Sequence, residues 1–431
     1  MKRLGGVVEV SRKCSPSEGL PRGERRVGRQ WLAHALIAAT FIAAAVSCSD
    51  GGDGGDVADE GGQVAEPVGQ TVIMYMPWSG NLLSAFEANI ADMQTAVERR
   101  GGLGDKRLMV FLAQSGGSAL LMEMKHDGGK CSLDTLDAYT FSTPSYTTAY
   151  GLHSIFNDIT SMAPADGYAL IIGAHAMGWL PKGTEVEGSG VSSIRRQAGG
   201  GLFGTRYFGH YSDEDYQTDL STLAEAIGMA GIQMDYILFD DCYMANMESV
   251  YELRDAAKYI IASACEVILY GVPYATAGQS LLDMDLEGVC DDFYDYYSQS
   301  QSPYATLSLI DCGEVESMAG IMADINSQCD FDSSAIGELQ VLDGITPAIF
   351  FDFGDYVEHL CGADTVLYND FRSQLDLLVP YSRHTDAFYS AYNNKETAIK
   401  TFSGLSVSAP TTNANAAGRW TETAWCLATG E

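Results

Sequence analysis

Two stretches of this chain carry reactive side chains at the ends of apolar runs. "YALIIGAHAMGW" (168–179) delivers an apolar run into His175, and "MDYILFDDCYMANMESVYEL" (234–253) does the same with Cys242. A thiol attacks as its thiolate, and an imidazole can take the thiol proton and later give a proton to a leaving amine. Brought together, the two would support acyl transfer. Cys242 stands where a helix is expected to open, with Met244, Met247 and Tyr251 facing inward. The positive end of that helix would lower the thiol pKa. Asp240 and Asp241 work against this, because nearby carboxylates disfavour a thiolate. Each residue also has a structural reading: a lone His after a strand is commonly a satisfied hydrogen-bonding residue, and a lone Cys in a helix is commonly core packing.

The surrounding pattern says what must position them. "TVIMYMPW" (71–78), "RLMVFLAQ" (107–114), "DYILFDD" (235–241) and "YIIAS" (259–263) read as strands without alternation, with "SALLMEMK" (118–125) as a hairpin partner or edge. Between them lie segments with helical spacing: 82–100, 148–163 and 219–231, the last with Asp219 as its expected N-cap. Strands buried on both faces and separated by helices imply an α/β fold, a mostly parallel sheet covered by helices on both faces. Such sheets bind ligands at the carboxyl ends of their strands, where His175 and Cys242 both stand. The Gly-rich polar segment between His175 and Asp219 is too long for a routine connection and reads as functional or cleavable. Beyond "YATLSLIDC" (304–312) the chain turns more helical, with "TFSGLSVSAP" as a late strand, so 313–431 is expected to form a smaller C-terminal subdomain.

Composition narrows the partners. The chain has 431 residues, 46% of them hydrophobic and 10% aromatic, enough for a real core. Its formal charge of −32 leaves no surplus of Lys and Arg to neutralise phosphates, which argues against nucleic acid and favours a cationic partner. Residues 1–47 concentrate basic side chains before "WLAHALIAATFIAAAVSC", the layout of a secretory signal. "AVSC" resembles a bacterial lipoprotein box with Cys48 as the lipidated residue, the alternative being an ordinary signal cut near Ala45. Residues 48–67 then read as a flexible acidic tether. The expected location is exported and lipid-anchored, on the bacterial outer membrane or cell surface. The eight cysteines beyond Cys48 show no CxxC and no repeated spacing, so no zinc site or disulfide framework is indicated; most are expected as buried thiols, with room for one or two bridges.

"ALIIGAHAMGW", followed some sixty residues later by "MDYILFDDCYMANMESVYEL", resembles the clostripain family of cysteine peptidases, whose clan shares the caspase and gingipain fold. The likeness extends through "TRYFG", "DLSTLAEAI", "IIASACEVILYGVPY", "ATLSLID" and "FSGLSVSAP", covering about 71–431. It implies a caspase-like catalytic domain over 68–312, completed by 313–431, and endopeptidase activity after Arg or Lys on protein or peptide substrates. By resemblance His175 is the general acid/base, Cys242 the nucleophile, and the backbone N–H groups of Cys242 and Ala176 the oxyanion donors. Asp240 matches the family's acidic residue in the pocket for the basic side chain. Self-cleavage between histidine and cysteine is a family habit, which nominates Arg195 and Arg196, with Lys182 and Arg206 as alternatives. Some relatives use calcium; the acidic runs here form no recognisable calcium loop, so no metal ligand is assigned and calcium stays open as a cofactor. The chain departs from the family at Ala174, Ala176 and Met177 around the histidine, and at Asp241 before the nucleophile. Those departures keep one alternative, a weak or inactive surface lipoprotein that uses the fold for binding; a thiol acyltransferase, which would use the same dyad, is another.

Overall fold

Continuous apolar strands have to bury both faces, and in this computed structural model they do. The structure describes residues 67–78, 80–115, 117–141, 145–184, 208–209, 214–363 and 365–430. Within them one sheet has nine strands: β1 (Val68–Met76), β2 (Lys106–Ser115), β3 (Ser118–Asp127), β4 (Lys130–Thr140), β5 (Ala165–Gly173), β6 (Met234–Asp240), β7 (Ala257–Ala262), β8 (Thr306–Asp311) and β9 (Tyr381–His384). Their order is β9-β8-β7-β6-β5-β1-β2-β3-β4. The strands from β7 to β2 in that order run parallel. Antiparallel pairs flank them, β8 and β9 on one side and β3 and β4 on the other.

Successive side chains on a strand point to opposite faces, so each central strand feeds two cores. Ile73, Tyr75, Leu170, Ile172, Ile237 and Phe239 enter one. Val72, Met74, Ala169, Ile171, Tyr236 and Leu238 enter the other. The second face is covered by α1 (Leu83–Arg100), with α5 (Tyr274–Asp283) and α6 (Leu286–Ser298). On the first lie α2 (Ala149–Met162), α3 (Leu220–Met229) and α4 (Met247–Leu253). The doubly covered, mostly parallel sheet expected from the sequence is therefore present. Beyond residue 313, α7 (Val315–Asn326), α8 (Phe353–Cys361) and α9 (Val366–Leu378) pack onto that first core, and β9 extends the sheet itself. From "TFSGLSVSAP" only Ser406–Val407 is strand, paired with Phe351–Asp352.

Two local expectations change. β4 was not foreseen: its side chains are largely exposed and polar, so no apolar run marks it, and its charged edge suits a strand with no further neighbour. Asp219 does precede α3, but its side chain makes no capping bond; its carboxylate accepts the Lys182 N–H at 2.8 Å instead.

The connections fix where a ligand can sit. From β1 the chain passes through α1 to β2 on one side, while β5, reached through α2, lies on the other side of β1. The crevice beyond the carboxyl ends of β1 and β5 is thus a topological switch point, the expected binding position in an open α/β sheet. Phe156 of α2 is fully buried in the face that supports β5. Phe156→Ala should cost about 3–5 kcal/mol of unfolding free energy, read from the denaturation midpoint. Tyr150→Ala, on the exposed side of the same helix, should stay within about 0.5 kcal/mol.

Candidate active site

His175 stands two residues past β5, in a short segment, His175–Ala176, that pairs antiparallel with Phe208–Gly209. Its Nε2 faces the side-chain amide of Asn81 in the turn between β1 and α1, 3.3 Å from Nδ2 and 3.4 Å from Oδ1. Asn81 Oδ1 also accepts the Trp78 indole N–H at 3.1 Å. Sequence reasoning missed Asn81. Its only signal is the place of "PWSGNLL" directly after β1.

Cys242 lies in the turn that leaves β6. The next residue, Tyr243, has φ +61°, a left-handed conformation that costs a bulky side chain strain and persists only where surroundings enforce it. Here the enforcement is dense. The Tyr243 N–H donates to the Cys265 carbonyl at 3.0 Å, its hydroxyl donates to Glu266 at 2.7 Å, and its ring stacks on Phe350 with centroids 5.0 Å apart. Asn246 Nδ2 donates to the Tyr243 carbonyl at 2.6 Å, while Asn246 Oδ1 caps α4 by accepting the Ser249 N–H at 2.8 Å. Gly178, with φ +62°, lets the histidine segment rest on this turn. A Cβ there would sit 2.6 Å from Asn246 Nδ2 and 2.7 Å from the Tyr243 carbonyl.

The helix after the cysteine therefore begins later than its apolar spacing suggested. α4 starts at Met247, and Cys242 is separated from it by the whole turn, so the expected help from a helix dipole is absent. Met244 and Met247 are buried alike, one in the turn and one in the helix, which is why periodicity misplaced the start. The thiol accepts the Val267 N–H at 3.3 Å and leans on the Val267 carbonyl at 3.7 Å. Burial and then Glu266 push its pKa well above the usual thiol value; the Val267 N–H opposes them, and Asp241 and Asp240 add to the rise. The balance favours the thiol over the thiolate.

His175, Ala176, Cys242 and Asp240 line one cleft of about 410 Å³, together with Asn81, Phe86, Asn89, Val267, Leu269 and Tyr389. Asp240 is buried with the α1 and α5 side of the sheet. It accepts from the Val272 N–H at 2.8 Å, the Tyr274 hydroxyl at 2.9 Å and Asn89 Nδ2 at 3.4 Å. Burial outweighs those bonds and pushes its pKa up to about 6. Gly271, φ +64°, lies against the carboxylate, where a Cβ would come within 2.4 Å of Oδ1. Asp241 is 2% exposed and neither of its oxygens has a hydrogen-bond partner; burial and the adjacent Asp240 drive it toward the neutral acid. Glu266, also missed, accepts from Tyr243, the Ser390 hydroxyl and the Ala391 N–H at 2.9 Å, and burial raises its pKa.

Ala174, Ala176 and Met177 are all buried, and Met177 Sδ accepts the Tyr392 hydroxyl at 3.0 Å, so these departures are packed into the wall. Lys182 is exposed beyond the cleft, while Arg195, Arg196, Arg206 and Cys48 lie outside the described residues. None of the eight described cysteines is in a disulfide. Among the described residues no group of three or more His, Cys, Asp or Glu is placed to hold a metal ion, and no helix is long and apolar enough to cross a membrane.

Comparison with known proteins follows the same lines. The model of the clostripain family matches residues 74–389. A secreted C11 cysteine protease of Bacteroides thetaiotaomicron, iotapain, is 43% identical with a TM-score of 0.75, covering 84% of this chain and 100% of its own. A clostripain from the same species, solved with the peptide inhibitor BTN-VLTK-AOMK, is 46% identical with a TM-score of 0.50, over 52% of this chain and 99% of its own. An inactive zymogen C11 protease of Parabacteroides distasonis is 25% identical with a TM-score of 0.69, over 85% and 99%. No curated protein matches the chain in sequence.

The close approach at Gly178 gives a direct test of how the site is held. Gly178→Ala should reduce turnover at least about tenfold, since small misplacements of reacting groups are costly. The loss should exceed what the shift in thermal midpoint explains, measured on the same preparation.

Proposed function

This chain belongs to the clostripain family of cysteine peptidases, and from that premise we propose an endopeptidase that cuts after arginine or lysine with Cys242 as nucleophile and His175 as general acid/base. The observation that carries the proposal is the single cleft lined by Cys242, His175 and Asp240. The Cys242 sulfur attacks the scissile carbonyl carbon as the thiol proton passes to His175. The oxyanion that forms is held by the backbone N–H groups of Cys242 and Ala176. His175 returns the proton to the leaving amine, giving a thioester and a free amino terminus. Water then attacks the thioester; His175 takes its proton and restores it to the sulfur as the carboxylate leaves.

Asp240 supplies the preference for a basic side chain. A carboxylate recessed in a cleft rewards an incoming guanidinium or ammonium with a charge-assisted hydrogen bond. The inhibitor bound to the B. thetaiotaomicron clostripain, VLTK, ends in lysine, which agrees with such a pocket. Maturation by self-cleavage belongs to the same reading. Arg195 and Arg196, in the Gly/Ser-rich segment between histidine and cysteine, are the favoured bonds, with Lys182 and Arg206 as alternatives. Export with lipidation at Cys48 would place the enzyme at a bacterial surface, in line with the description of iotapain as secreted.

Amide reporters ending in Arg or Lys should be hydrolysed by the wild type and not by Cys242→Ala; equal rates for the two proteins would refute the nucleophile and leave a binding role for the fold. Asp240→Asn should lower kcat/KM for basic reporters by about 10- to 100-fold, the worth of a hydrogen bond to a charged group, with little change for a neutral reporter. Because Asp240 titrates near 6, it is neutral below that pH and charged above it. KM for an Arg reporter should therefore fall as pH rises through about 6, and Asp240→Asn should lose that dependence. Intact mass of purified wild type against Cys242→Ala will show self-cleavage as a chain break present only in the former.

A further inference from the structure

We propose that Asn81 is a positioning residue for His175, so that the reaction runs on a Cys242–His175–Asn81 arrangement rather than on a dyad. The inference rests on the reading of His175 as acid/base. The indole N–H of Trp78 can only donate, and it reaches Asn81 Oδ1 at 3.1 Å, which fixes which end of the amide is the oxygen. A carbonyl oxygen has two acceptor sites. The same oxygen lies 3.4 Å from His175 Nε2, with Nδ2 slightly nearer at 3.3 Å.

Only one of those contacts serves the chemistry. A protonated imidazole donates from both nitrogens, so in that state Nε2–H can be satisfied by Oδ1 and not by the amide N–H₂. In the neutral ring the same bond places the proton on Nε2 and leaves the lone pair on Nδ1 to take the thiol proton. Donation from Nδ2 into Nε2 would select the opposite tautomer, with Nδ1 already protonated and unable to take the thiol proton. A third group that orients the base recurs in unrelated cysteine and serine hydrolases, so the physical role is general. This chain builds it from the turn after β1, whose position is set by the sheet rather than by the loops around the nucleophile.

The test compares wild type, His175→Ala, Asn81→Ala and Asn81→Asp on one Arg reporter, with thermal midpoints as a folding control. Asn81→Ala should lower kcat at least about tenfold and by no more than the 10²–10⁴ that general acid–base catalysis contributes, with KM changed less than about twofold. Asn81→Asp keeps an acceptor and adds a charge near the ring. It should retain most activity and move the acidic limb of the kcat/KM profile to higher pH. Three results overturn the inference: an Asn81→Ala kcat within twofold of wild type, a change confined to KM, or Asn81→Asp losing activity as fully as Asn81→Ala with no shift of the limb. Full activity in His175→Ala would instead defeat the acid/base reading on which it stands.

Discussion

The contact on which the rest of the site depends is the close seating of the histidine segment on the turn that carries the cysteine. Gly178 lies so near the Tyr243 carbonyl and the Asn246 amide that even a methyl group would collide. Asn246 closes the arrangement from the other side, bonding the Tyr243 carbonyl while capping α4. Two strand ends that are neighbours in the sheet would not by themselves fix the relation of their first loop residues, because loops are the softest part of an α/β fold. Here a strained residue, a glycine and a helix cap share one small volume, so the turn has few other ways to pack. The strain at Tyr243 is offset by its stacking on Phe350 and by its bonds to Cys265 and Glu266. Through Phe350, Ser390 and Ala391 the late part of the chain takes part in holding the turn. That dependence ties the residues beyond 313 to the site rather than leaving them as a supporting shell.

Electrostatics pull in the opposite direction from the usual picture of an activated thiol. Burial and surrounding carboxylates raise the Cys242 pKa, which disfavours the reactive thiolate. In the proposed reaction the missing counter-charge arrives with the substrate. A basic side chain beside Asp240 offsets part of the negative potential at the sulfur and displaces water, which strengthens every remaining polar interaction in the cleft. Reactivity would then rise when a suitable substrate is bound. In that proposal, carboxylates that look adverse when read beside a lone cysteine become part of how the site would discriminate.

The sheet, its two covered faces and the location of both reactive side chains were legible because they follow from local pattern. Apolar runs without alternation mean strands buried twice, and ligand sites lie at their carboxyl ends. Three features were not legible, each for a different reason. β4 is an exposed edge strand whose polar composition resembles a loop. The start of α4 is masked by apolar residues that continue through the turn before it. Asn81 reaches His175 across 94 residues, and Glu266 joins Tyr243 to Ser390 across 23 and 124. Nothing in a periodicity or spacing argument links positions so far apart; only the strand order brings them together.

The family departures around His175 illustrate the limit of reading residues as isolated letters. Ala174, Ala176 and Met177 suggest a degenerate site when compared with a motif. In place, Met177 packs fully buried against Tyr392 and accepts its hydroxyl, while Tyr392 belongs to the same late segment that bonds Glu266. The histidine segment and the loop holding Glu266 are thus joined through one methionine. A small polar residue at 177 would not fill that space, so the substitution is matched by its surroundings. Ala176 keeps the backbone N–H proposed as an oxyanion donor, and a methyl group adds bulk without removing a donor. The side chains that differ at 174, 176 and 177 are packed into the wall of the cleft, while the side chains proposed to do chemistry, His175 and Cys242, are retained.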